Sequence, residues 1–259
     1  MATTGTMAAE PRSAMVRGEK FFLVTAILMV VVIVAGFSLQ LGMGRSSFAS
    51  PVPVHLHAVI FFGWAMLYLL QNALAATGSL ALHRRLGWLS IGWIPAMVAM
   101  GMFVTAAIVR RGSVPFFFQP LYFLIMDWLT VLTFAGLASA AILLRKRTQT
   151  HRRLMYCGMA LLTGPGFGRL LPMLFFIPHA GWVVFAAVML FPIAGVIRDL
   201  RRSGRIPGAW WWGIGAMIVA QVATDLLAES RAGLILYEAA TRGTPGAAIT
   251  PMAFPPFPH

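Results

Sequence analysis

The sequence predicts an all-α fold, a polytopic membrane helix bundle with seven transmembrane helices and the N-terminus inside. Three observations predict it. Of 259 residues, 59% are hydrophobic and only 10% are charged, whereas soluble domains carry about 25% charged residues. The apolar residues gather into seven runs near the ~20 residues that a helix needs to cross a bilayer. Fourteen of the twenty Arg and Lys fall in the N-terminal tail and in segments 78–86, 145–153 and 198–207. Seven crossings put those four stretches on one side, and positive charge assigns that side to the cytoplasm.

Residues 1–20 read as a polar cytoplasmic tail containing Glu10, Arg12, Arg17, Glu19 and Lys20. The transmembrane domain covers 21–227. Its first run, 21–41, is too long for a signal-peptide core and reads as a retained span. The others are 54–77, 87–109, 118–144, 154–178, 181–197 and 208–227, the sixth being the shortest. None alternates as a β-barrel strand must. Residues 228–259 read as an extracytoplasmic, partly disordered tail. A short helix over 229–241 is expected there, ended by Gly243-Thr244-Pro245-Gly246. Pro255-Pro256-Phe257-Pro258 cannot continue one.

The net charge of +13 would suggest nucleic acid in a soluble protein. Here the basic residues sit in short loops between apolar runs, so the bilayer and its anionic headgroups are the expected partners, and nucleic acid is not. A complex with another membrane protein is also open. The single cysteine, Cys157, excludes an internal disulfide and a Cys-x-x-Cys site. No phosphate loop and no His-Glu-x-x-His is present. The Ala- and Gly-rich, Lys-poor composition fits a bacterial chain, and with it the bacterial inner (plasma) membrane.

His-Arg-Arg-Leu occurs twice, at His83–Leu86 and His151–Leu154, each time at the mouth of an apolar run. Trp64 precedes the first copy by 19 residues and Trp128 precedes the second by 23. The two descending-and-ascending hairpins therefore read as a possible internal duplication. The six residues His83, Arg84, Arg85, His151, Arg152 and Arg153 are assigned to headgroup contact and topology control.

Two opposite charges lie within apolar runs. Asp127 is nine residues inward from Phe118, and Arg169 nine inward from Pro178. At 1.5 Å per residue both are about 14 Å deep. Charges are costly there, so an ion pair locking two spans is expected. Beside Arg169, Gly164-Pro165-Gly166-Phe167-Gly168 breaks the helix. The break marks either a binding site of the transporter kind or a kink that lets another helix approach.

On the second run, His57, Trp64, Tyr68 and Gln71 share one helix face, a polar-aromatic seam turned inward. His57, Gln71, Asp127 and Arg169 are thus the candidate ligand-binding residues, and His57 with His179 the candidate metal ligands. Imidazole suits haem iron and copper, so haem b or copper are the cofactors to consider. No catalytic residue stands out.

The series His57, Trp64, Gln71, Gly78, Leu82-His83-Arg84-Arg85-Leu86-Gly87, Asp127, His151-Arg152-Arg153-Leu154-Met155 and Arg169 resembles a group of bacterial multi-pass inner-membrane proteins with no assigned activity. A fainter likeness is to small membrane proteins that assist cytochrome oxidase assembly. The resemblance implies a multi-pass membrane body and names no activity; the leading expectation is a non-catalytic accessory or ligand-handling protein for a metal or haem. A haem b oxidoreductase and a small-solute or proton-coupled transporter are the alternatives.

Overall fold

The structure is a computed structural model that describes residues 12–256, with side chains from residue 20 onward. The expectations for residues 1–11 and 257–259 lie outside it. Ten α-helices follow one another: α1 (Arg12–Gly42), α2 (Val52–Ala76), α3 (Leu80–Gly87), α4 (Leu89–Arg111), α5 (Pro120–Leu143), α6 (Thr148–Leu161), α7 (Gly164–Leu170), α8 (Ala180–Ser203), α9 (Gly208–Ala228) and α10 (Arg231–Thr241). Among the described residues there is no strand.

Six helices are long and apolar enough to cross a membrane: Lys20–Gly42 within α1, then α2, α4, α5, α8 and α9. Their outward faces carry exposed Val59, Phe103, Leu190 and Val219. In water such a belt would drive association, but in lipid it is the solvated surface. Their inward faces bury Trp210, Phe134, Met97, Leu124 and Met217 completely, against Tyr156 and Met159 of α6. Indole groups tie the helices across the core. Trp93 Nε1 on α4 donates to the Ile60 carbonyl on α2 at 2.9 Å. Trp128 Nε1 on α5 donates to the Met102 carbonyl on α4 at 3.1 Å.

Run 154–178 is not one long helix. α6 ends at Leu161, the buried Thr163 hydroxyl donates to the Ala160 carbonyl at 2.6 Å, and the chain turns. Pro165 then sits in the first turn of α7, where its missing N–H leaves nothing unpaired. A 3₁₀ turn at Met173–Phe176 completes the segment. The two short helices together run alongside α1. Tyr156 packs edge-on against Phe22, Gly166 meets Gly36, and Arg169 lies over the Phe37 ring.

The kink reading of Gly-Pro-Gly-Phe-Gly is the one the packing displays. A Cβ on Gly36 would come within 2.6 Å of the Gly166 carbonyl oxygen, and one on Gly166 within 2.8 Å of the Val32 carbonyl oxygen. The backbones of α1 and α7 therefore touch directly, as small residues permit between membrane helices.

Three boundaries differ from the sequence expectation. α1 begins at Arg12, inside the expected tail. α8 runs on to Ser203, six residues past 197, which makes Asp199 a helix residue. The described end of the chain is packed rather than loose: the Leu121 amide donates to the Pro251 carbonyl at 2.9 Å, and Gln119 Nε2 donates to the Met252 carbonyl at 2.8 Å. The short helix expected over 229–241 is α10, which starts at Arg231 behind the Ser230 cap.

Candidate functional site

The two repeated histidines meet. The rings of His83 and His151 stand edge to face with centroids 6.4 Å apart. Each is held by the helix that descends before it. His83 Nδ1 lies 3.2 Å from the Gln71 carbonyl on α2, and His151 Nδ1 lies 2.8 Å from the Ala141 carbonyl on α5. A carbonyl only accepts, so both Nδ1 atoms carry the proton. In the neutral rings the Nε2 lone pairs are then left over. Burial holds the His151 pKa below its ordinary value; the bond to Ala141 opposes that shift, and His83 adds to it. His151 is thus kept in the neutral form that a metal ligand requires. Close by, the Gln71 side-chain oxygen is buried without a hydrogen-bond partner, as is the Trp64 indole nitrogen.

The arginines that follow the two histidines part company. Arg84 and Arg85 are exposed on α3, as headgroup contacts should be. Arg153 is not a headgroup contact. It is 4% exposed and forms the buried ion pair of the bundle. Its Nε and Nη2 reach Asp199 Oδ2 at 2.8 and 2.6 Å, and Nη1 donates to the Gln149 carbonyl at 2.6 Å. Trp210 Nε1 donates to the same carboxylate oxygen at 2.8 Å, and Arg198 Nη1 to Oδ1 at 2.6 Å. Asp199 thereby joins α6, α8 and α9. Arg152 lies over the Phe22 ring, 4.7 Å from its centroid.

The expected ion pair between Asp127 and Arg169 is not formed. Asp127 Oδ2 accepts from the Thr105 hydroxyl at 3.3 Å. Arg169 Nη1 donates to the Pro165 carbonyl at 2.8 Å, and its guanidinium covers Phe37 at 4.0 Å. The charge of Arg169 is nonetheless felt at both Asp127 and His57, without direct contact among the three. His57 stacks on Phe61 with centroids 4.2 Å apart. Trp64 and Tyr68 are buried on the same helix, so that face does point inward.

No contact joins His57 to His179 among the described residues. His179 instead sits at the mouth of a cavity of about 400 Å³ between the ends of α5, α8 and α9. Among the described residues no three His, Cys, Asp or Glu side chains gather in a metal-binding arrangement. Any ion at the histidine pair would therefore draw on other donors; the Gln71 side-chain oxygen, on the residue whose carbonyl holds His83, is buried without a partner.

No family model, curated protein or solved structure matches this chain. Function must therefore be read from the residues alone. Reading the sequence by depth missed Asp199 because it sits two residues past the expected end of the sixth run. Its one local signal was an acid alone among Arg198, Arg201, Arg202 and Arg205.

Proposed function

We propose that this chain is a seven-crossing protein of the bacterial inner membrane, N-terminus inside, that acts as a non-catalytic accessory binding a transition-metal ion between His83 and His151. The carrying observation is the paired, carbonyl-anchored imidazoles 6.4 Å apart. Metal-ligating histidines almost always donate their second ring N–H to a carbonyl or carboxylate, which fixes the tautomer and aims the other nitrogen. Ligand bonds of about 2.0–2.1 Å suit an ion held between two such rings. Among divalent first-row ions copper binds nitrogen sites most strongly, so it is the first candidate. The faint likeness to oxidase-assembly proteins agrees with a metal-delivery role. For the topology, α6 and α7 together supply the seventh crossing beside α1, and the basic side lies in the cytoplasm.

Elemental analysis of the purified protein tests this. Wild type grown with copper should retain metal, His83→Ala and His151→Ala should each lose most of it, and His57→Ala should retain it. Equal metal in all four would end the proposal. The absorption spectrum of the same samples separates ion from haem: a Soret band present in wild type and absent from both pair variants would put haem b in the ion's place.

One observation favours a second reading. The charge of Arg169, beside the α6–α7 break, is felt by both His57 and Asp127 without contact, and discontinuous helices next to polar groups are a feature of transporter sites. Proteoliposomes carrying Asp127→Asn or Arg169→Ala test it, because a transporter that uses this cluster loses its flux in both.

A further inference from the structure

We infer that the cavity at the bundle end opposite the histidine pair binds an organic ammonium ion. Tyr122, at this end of α5, is 19 residues from Ala141, so the two ends are about 28 Å apart. The inference stands independently of the metal site.

The cavity is an aromatic cage with acid in its wall. Phe118, Tyr122, Trp182 and Phe254 line it together with Asp225 and Glu229. Among the described residues neither Arg nor Lys lines it. In a chain of twenty basic and seven acidic residues, that exclusion is informative. Phe118, Tyr122 and Trp182 are positioned by specific contacts. Phe118 and Tyr122 stack with centroids 6.2 Å apart. The Tyr122 hydroxyl accepts from Gln221 Nε2 at 2.9 Å. The Trp182 indole donates to Asp225 Oδ2 at 3.0 Å, which couples one cage wall to the carboxylate. Gly181 lets the tyrosine approach, since a Cβ there would fall on its ring and hydroxyl. The docked tail adds Met252 and Phe254 to the lining.

This combination selects a ligand class. Aromatic faces attract cations at up to about 6 Å and are the usual recognition surface for quaternary ammonium groups. An inorganic ion would require a fuller set of oxygen donors. An anion would meet two carboxylates, and a neutral apolar guest would leave them without a counter-charge.

Choline and its neutral isostere 3,3-dimethyl-1-butanol are the probes. Equilibrium dialysis against the full chain in non-ionic detergent should show saturable choline binding. The isostere should bind at least tenfold more weakly. Asp225→Asn keeps an acceptor for Trp182 while removing the charge, and should weaken choline at least tenfold with the thermal midpoint unchanged. Glu229→Gln, further out, should weaken it by a smaller factor. Absence of saturable choline binding in wild type overturns the inference, as do equal affinity for the isostere and an unchanged affinity in a folded Asp225→Asn. The isostere comparison requires no variant, so it decides even if Asp225→Asn does not fold.

Discussion

The two copies of His-Arg-Arg-Leu share a sequence but not a fate. The first occupies α3, a helix of eight residues none of which is buried, and its second arginine, Arg85, is exposed. The second copy opens α6, and its second arginine, Arg153, is buried in an ion pair with Asp199. Only the histidines behave alike, each returning its Nδ1 proton to the helix before it. The tetrapeptide therefore encodes the histidine anchor, while the role of each arginine is set by what packs beside it. α3 is a short connector, and among the described residues no ion pair is formed by Arg85, whereas α6 is packed against α5, α8 and α9.

The sharpest way to break this comparison is to remove each arginine in turn. Arg153→Ala leaves the Asp199 carboxylate with less compensation in a buried setting and should cost roughly 3–5 kcal/mol, measured by thermal or denaturant unfolding in detergent. Arg85→Ala, at an exposed position, should stay within about 0.5 kcal/mol. Equal losses would show that the two copies are not structurally distinct. Pairing Arg153→Met with Asp199→Leu should recover part of the loss. It should not recover all, because Trp210 and Arg198 also give up their acceptor.

A middle-sized effect is expected where α7 touches α1. Gly36→Leu would drive a side chain into the Gly166 carbonyl and should cost about 1–3 kcal/mol by overpacking. Gly92, with open space around its Cβ position, is the matched control, and Gly92→Leu should be close to neutral. A neutral Gly36→Leu would place α7 away from α1.

The smallest effect concerns acid. The unfolded His151 imidazole takes up a proton near pH 6.5, whereas burial keeps the folded ring neutral to lower pH. Its contribution to stability is therefore complete above that value and declines as the pH falls below it. His151→Gln should flatten that acid limb of the stability–pH curve. An unchanged slope would mean that His151 titrates equally in both states.

Much of the fold was legible in the sequence. Six of the seven apolar runs are single long helices, because uninterrupted apolar length has no other low-energy form in lipid. Pro165 and its flanking glycines marked the place where the remaining run breaks. The inward face of α2 was legible too, since period 3.6 put His57, Trp64, Tyr68 and Gln71 together. The candidate site was legible only as a set of residues. Arg169 is felt electrostatically at Asp127 and His57, but equal depth could not tell whether guanidinium and carboxylate would touch. Phe37, Pro165 and Thr105 offered nearer partners.

What the sequence determined by itself is the solvent of this protein and the number of its apolar runs. Hydrophobic transfer sums over residues along the chain and needs no knowledge of neighbours. What only the tertiary structure decided is which polar groups meet. Arg153 and Asp199 are 46 residues apart, and His83 and His151 belong to different hairpins. A hydrogen bond or ion pair depends on distances of about 3 Å, and those are set by the packing of whole helices against one another.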